Sequence, residues 1–265
     1  MDIKSKKIKL TLIVILLLII CIVIGVLKHR EDTFATRTIN GKVDIGGYSL
    51  NVNCYGKGTP TVIFEAGLGY TNSTWSLVQP EISKIARTFS YDRAGLGNSD
   101  ISKLPRTSLD QVHELHTLLT NAKVKGPYII VAHSIGGFNA RLFAGTYPNE
   151  VVGIVFVDST HEYQFDGLTA TDLEQLNRNL DSSEPKFDVM QSAKQLDEIR
   201  KKDALRNIPI AVLTSTQPAA FQDNLSSLSK NSKHILVKDS GHFIQNDKPQ
   251  VVIDFIKELI DSVGK

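Results

Sequence analysis

Ser134 is the residue whose setting most invites chemistry. It lies in His133-Ser134-Ile135-Gly136-Gly137, directly after the apolar run Tyr128–Ala132 and before Gly136–Thr146, which has helical spacing. A serine on a tight strand-to-helix turn with a glycine two places on fits a nucleophile elbow, where the bend exposes the hydroxyl and a small neighbour avoids a clash. Alanine at 132 replaces the glycine usual in this pattern, so the match is A-x-S-x-G. A serine hydroxyl is a poor nucleophile at neutral pH and needs a base within hydrogen-bond reach, most often a histidine. Several of the seven histidines read as scaffold. His113 and His116 share a helix face three apart in H-E-L-H, which is not the zinc motif with histidines four apart, and they fit a solvated face. His133 packs behind the turn, His234 opens a strand, and His161-Glu162 fits a surface pair as well as a lining of the segment that holds it. Asp92-Arg93 pins a loop, since such pairs hold loops more often than they react.

The elements that must position Ser134 alternate along the chain. Asn40–Gly47 and Tyr48–Tyr55 read as a hairpin turning at Gly46-Gly47. Strands are expected at Thr61–Glu65, Thr88–Asp92, Tyr128–Ala132, Val151–Val157, Ile210–Thr214 and Ile235–Lys238. Helical spacing covers Trp75–Ala86, a segment reaching Ala122 with Ser108 as N-cap, Gly136–Thr146 and Pro249–Val263. A hairpin followed by strand–helix units predicts an α/β fold: a mostly parallel sheet with helices on both faces. Residues 159–207 are too long and too charged for a plain connection and read as a small helical cap inserted between two strands. Tyr163, Phe165, Leu168, Phe187 and Met190 in this cap suit an apolar pocket or the cap's own core.

The N-terminus differs from this body. Leu10 to Leu27 is uncharged and almost wholly apolar; as a helix it is about 27 Å long, close to the hydrocarbon thickness of a bilayer. That is longer than the apolar region of a signal peptide, and no convincing cleavage site follows. The expected organisation is a basic tail over 1–9, a transmembrane helix over 10–27, a linker over 28–38, and one domain over 39–265. Lysines on the entry side predict a cytoplasmic N-terminus and a body beyond the membrane. The net charge of +2 conceals the split, because the first thirty residues hold Lys4, Lys6, Lys7, Lys9, Lys28 and Arg30 against Asp2 alone. The body is therefore slightly acidic and lacks the footprint of a nucleic-acid binder. Cys21 and Cys54 lie in segments too unlike to be bridged, and no zinc-type Cys/His spacing occurs.

Four ordered segments resemble the α/β-hydrolase family. Glu65-Ala66-Gly67-Leu68-Gly69, followed by Trp75, is similar to its oxyanion loop. Tyr91-Asp92-Arg93-Ala94-Gly95-Leu96-Gly97-Asn98-Ser99-Asp100 is similar to its Y-D-R-x-G-x-G-x-S segment. His133–Gly137 is similar to its elbow, and Ser240-Gly241-His242 to its histidine loop. The resemblance runs from about Gly41 to the C-terminus. It implies Ser134 as nucleophile, His242 as base, and the backbone N–H groups of Leu68 and Ile135 as oxyanion donors. Trp75 would pack behind the oxyanion loop, and Asp239 would be structural. The acid stays open. The family most often supplies it after the strand matching Ile210–Thr214, where Ser215-Thr216-Gln217-Pro218 has no carboxylate. Asp158, ending Val151–Val157, is the first candidate, Asp223 the second, and a dyad without an acid the third.

The expected activity is that of a membrane-anchored serine hydrolase acting on a small ester, thioester or amide through an acyl-enzyme, with no metal, cofactor or nucleic acid. A catalytically silent binding module on the same scaffold is the competing expectation. Serine rather than aspartate at 134 argues against chemistries that need a carboxylate nucleophile.

Overall fold

Strands that are apolar along almost their whole length must be covered on both faces, and this is the pattern of Thr61–Glu65, Tyr128–His133, Val151–Val157 and Ile210–Thr214. The computed structural model describes residues 38–263 apart from 103–105, 185–186, 202–204, 206 and 216–218, together with Leu16, Leu17, Ile19 and Ile20. In chain order the body runs β1 (Ile39–Asp44), β2 (Ser49–Tyr55), β3 (Thr61–Glu65), a 3-10 turn (Asn72–Trp75), α1 (Gln79–Ile82) and β4 (Arg87–Tyr91). It continues with α2 (Ser108–Asn121), β5 (Tyr128–His133), α3 (Gly136–Thr146) and β6 (Val151–Val157). A 3-10 turn (Glu162–Phe165), α4 (Ala170–Ser183) and α5 (Val189–Lys201) follow, then β7 (Ile210–Thr214), α6 (Ala219–Ser226), β8 (Ser232–Leu236), α7 (Ile244–Asp247) and α8 (Pro249–Val263).

The eight strands form one sheet in the order β1-β2-β4-β3-β5-β6-β7-β8. The pairs β1–β2 and β2–β4 are antiparallel, and all other neighbours are parallel. Because side chains alternate across a strand, each central strand feeds two cores. Ile63, Phe89, Ile130, Ile154, Phe156 and Val212 face one layer, where α2, α3 and α5 contribute Val112, Leu115, Phe138, Phe143 and Leu196. Val62, Phe64, Ile129, Val131, Val155 and Leu213 face the other, with Trp75, Ile82, Ile244, Val252 and Ile256. The expected mostly parallel sheet with helices on both faces is therefore what forms.

The insertion between β6 and β7 is helical, as expected. Its second helix, α5, packs on α2 and α3. Local corrections have local causes. The helix expected over Trp75–Ala86 divides into a 3-10 turn capped by the Thr71 side chain and the short α1, because Pro80, which has no N–H, takes a first-turn position and starts a new helix there. The N-cap of α2 is Thr107, not Ser108. Thr107 Oγ1 accepts from the Asp110 N–H while Asp110 Oδ2 accepts from the Thr107 N–H, a reciprocal capping box, and the Ser108 N–H turns to Ser192 Oγ on α5. The last strand lies at Ser232–Leu236 rather than Ile235–Lys238. As an edge strand it has one polar, solvated side, so its apolar residues mark only its end.

Residues 1–37 form a unit separate from Thr38–Lys265. The tail over 1–9, the membrane helix over 10–27 and the linker over 28–38 fall outside the described residues, apart from Thr38 and Leu16, Leu17, Ile19 and Ile20, which are helical and exposed. Among the described residues no helix is long and apolar enough to cross a membrane.

Candidate active site

Parallel strands end together, and the loops leaving their C-terminal ends share one edge of the sheet. Ser134 follows β5, Asp158 follows β6, Ser215 follows β7 and His242 lies in the loop after β8. The turns are tight and laced across strands: the Ser134 N–H donates to Val157 O at 3.3 Å, the Asp158 N–H to Leu213 O at 2.7 Å, and the Thr160 N–H to Ser134 O at 2.9 Å. Ser134 has φ 54° and Asp158 φ 44°. Both are left-handed, a conformation costly for residues with a side chain and held only where neighbours over-determine it.

Small residues let the elbow close. A Cβ on Gly136 would lie 2.7 Å from Ala66 O and 2.9 Å from Glu65 O, and one on Gly137 would lie 2.7 Å from Ser159 Cβ. A Cβ on Gly67 would come 3.2 Å from Ser134 Cβ, so the loop after β3 runs directly against the serine. Ala132 is fully buried between Glu65 and Phe156 of the neighbouring strands, and its methyl group is accommodated where glycine is usual.

His242 meets Asp158 beside this elbow. Its Nδ1 is 2.7 Å from Asp158 Oδ2; the carboxylate can only accept, so Nδ1 is the donor, and in the neutral imidazole Nε2 is then the acceptor. Burial by itself raises the Asp158 carboxyl, but hydrogen bonds from His242 and from the Ser215 N–H (2.8 Å) and Oγ (3.0 Å) outweigh it and hold the group below its ordinary value. His133 Nε2 donates to His242 O at 3.0 Å, and the two rings lie 4.6 Å apart. Burial, aided by the neighbouring His242, lowers His133 to about 4, so it is neutral at physiological pH. The Gly241 N–H donates to Asp247 Oδ2 at 2.8 Å, tying the histidine loop to α7. Among the described residues neither the Leu68 nor the Ile135 backbone N–H donates a hydrogen bond.

Asp223 stands elsewhere. It is on α6, 64% exposed at its side chain and 3.0 Å from His234 Nδ1, a partner that the sequence did not suggest for that histidine. Trp75 is fully buried against Phe64, with ring centroids 5.1 Å apart, at the foot of the loop after β3.

The profile of the alpha/beta hydrolase fold matches residues 59–209. The chain belongs to this family. It is 33% identical over 210 residues to YqjL, an uncharacterized protein of Bacillus subtilis (strain 168), covering 72% of this chain and 80% of that one. Of seven further relatives the chain covers between 16% and 49% of the length. A thermophilic esterase from Thermogutta terrifontis superposes with a TM-score of 0.68 at 17% identity, over 86% of this chain and 100% of the esterase. The epoxide hydrolase CorEH superposes with a TM-score of 0.63 at 16% identity, over 86% and 100%. At such identities the likeness is one of fold.

Within this alpha/beta hydrolase, Asp92-Arg93 is scaffold, as expected. Asp92 accepts from the Asn72 and Asn98 N–H groups and from the Asn51 side chain, pinning two loops together. Other elements supply residues to which the sequence alone assigns no role. Glu65 is fully buried and accepts from Tyr91, Arg93 and Asn139. Ser215 steadies Asp158 from the position where the resemblance led us to look for a carboxylate. Glu184 and Gln111 complete a buried network around Arg93. Apolar flanks around single polar residues were the only available signal for Glu65, and Glu184 had none, since its partners are remote in the chain.

Proposed function

We propose that this chain is a serine hydrolase that cleaves an ester, thioester or amide through an acyl-enzyme. The observation that carries the reading is the 2.7 Å contact of His242 Nδ1 with the buried Asp158 beside a left-handed Ser134. In the proposed reaction His242 Nε2 takes the Ser134 proton as Oγ bonds to the substrate carbonyl carbon. The carbonyl electron pair moves onto oxygen, where the Leu68 and Ile135 N–H groups stabilise it. Collapse of the intermediate expels the leaving group, which receives the proton from His242. Water, deprotonated by the same nitrogen, then releases the acid and restores Ser134. Asp158 holds the imidazole tautomer and stabilises the imidazolium without taking its proton.

A serine at the elbow favours this acyl chemistry over the alkyl-ester route of an aspartate nucleophile. The uncharged run Leu10–Leu27 supports tethering of the domain to a membrane, with the N-terminus cytoplasmic and the domain on the far side. A fluorophosphonate probe tests the reaction directly. The full chain should be labelled and should hydrolyse p-nitrophenyl esters, and Ser134→Ala should lose both. A folded protein labelled to the same extent in Ser134→Ala, or not at all, would favour the silent binding module.

A further inference from the structure

The insertion between β6 and β7 reaches into the machinery through one side chain. Glu184, just after α4 and 1% exposed, accepts from Arg93 Nε at 2.7 Å and Nη2 at 2.6 Å, from Gln111 Nε2 at 2.8 Å, and from the Gly69 N–H at 3.3 Å. Arg106 Nη2 approaches it at 3.8 Å. Arg93 uses its remaining N–H groups on Glu65 Oε1 at 2.9 Å, Ala66 O at 2.7 Å and Gly67 O at 2.7 Å. All five guanidinium donors are therefore engaged, and three of their bonds go to the backbone of the loop or to the residue that starts it.

A trans peptide unit is planar, with its C=O and N–H pointing in opposite directions. Fixing the Gly67 carbonyl on Arg93 therefore fixes the direction of the Leu68 N–H, away from Arg93. Fixing the Gly69 N–H on Glu184 does the same for the Leu68 carbonyl. The Tyr70 N–H also donates to Gly67 O, at 3.1 Å, but one ion pair reaches both peptide planes flanking Leu68, and one half of that pair comes from the insertion. We propose that Glu184 is a positioning residue for the oxyanion donor: with Arg93 it aims the Leu68 N–H at the substrate oxygen, so that the cap segment and the oxyanion hole form one unit. Burial alone would raise the Glu184 carboxyl, but Arg93 outweighs it and leaves it below its ordinary value, so the charge that anchors the guanidinium is present.

This inference rests on the hydrolase reading, and its test separates the two. The full-length wild type, Glu184→Gln and Glu184→Asp are titrated to completion with a fluorophosphonate to count competent sites, and kcat and KM for p-nitrophenyl acetate are measured per labelled site. Glutamine removes the charge, and aspartate keeps it while drawing the carboxylate back from Gly69. Removal of an oxyanion donor lowers kcat by about 10²–10³, so a misaimed one is expected to lower kcat per site by roughly 10-fold in either variant, with KM within about two-fold. An unlabelled wild type defeats the hydrolase reading and this inference with it. A labelled wild type whose variants keep kcat per site, or change KM alone, overturns only the inference. Loss of folding in both variants also overturns it, because Glu184 would then be a prop of the fold.

Discussion

Asp158 reconciles two conflicting demands. Its carboxylate is 2% exposed, where an unpaired charge is costly, yet the three hydrogen bonds from His242 and Ser215 keep it ionised and aimed. The contrast with Asp223 gives a sharp expectation. Asp158→Asn should lower kcat by about 10³–10⁴, since an asparagine cannot hold the same imidazole tautomer, while Asp223→Asn should leave it within about two-fold; steady-state hydrolysis of p-nitrophenyl esters decides. Equal effects, or the reverse order, would reject Asp158 as the acid. Ser134 and His242 stand out in the sequence as candidates because each lies in a short segment with its own spacing. Asp158 could be read only as one of several alternatives, because its partners Ser215 and His242 come from different loops and meet only when β6, β7 and β8 are laid side by side. Ser215 reads in the sequence only as a missing carboxylate, whereas in the fold its hydroxyl and N–H hold the Asp158 side chain.

The elements serve the site by approaching closely. The start of α3 touches the end of β3 backbone to backbone, and Gly136 is where this happens. Gly136→Ala would push a methyl group into the Ala66 and Glu65 carbonyls, neither of which is the end of a flexible side chain. The expected cost is about 1–3 kcal/mol, read by chemical denaturation, together with a drop in labelling rate as the loop after β3 is displaced from Ser134. A folded Gly136→Ala of unchanged stability would contradict the packing described. The Thr107–Asp110 box is a milder case, with Thr107→Ala expected to cost about 1 kcal/mol and to spare kcat. β3, β6, β7, α3 and α8 have the bounds expected from the sequence, because the central strands, the buried α3 and the amphipathic α8 each carry their burial in their own residue pattern. Other features were not legible in this way. Pro80 divided a helical stretch whose apolar spacing continued through it. The solvated side of β8 obscured its start. The Arg93 network was hidden because Glu65, Gln111 and Glu184 are separated along the chain by stretches that carry no shared pattern.

The whole molecule combines a body with buried neutral histidines and an N-terminal segment of opposite character. His133 and His161 are each lowered by burial to about 4, below the ordinary value of about 6.5 expected in the unfolded chain. Between those values the unfolded state binds more protons, so stability rises with pH across the window and falls as pH drops from about 6.5 towards 4. Each histidine contributes on the order of 3 kcal/mol to that loss. Denaturation midpoints should decline through this window, and His133→Gln, which still offers a donor to His242 O, should flatten the decline; a midpoint independent of pH from 7 to 4 would refute it. Charge also bears on where the domain resides. Lys4, Lys6, Lys7 and Lys9 precede the apolar run, and beyond it Lys28 and Arg30 are followed at once by Glu31 and Asp32. Lysine and arginine resist translocation far more than acidic residues favour it, so the side with more of them is retained in the cytoplasm. A reporter that is active only after export, fused to the C-terminus of the full chain, is therefore expected to be active, and the fusion to remain with the membrane fraction after a high-salt wash that strips proteins bound by charge alone. Replacing the four lysines by glutamine should reduce that export signal by weakening the bias. Activity of a cytoplasm-only reporter at the same position, or release of the fusion by salt, would instead mean that Leu10–Leu27 does not span a bilayer in the proposed direction.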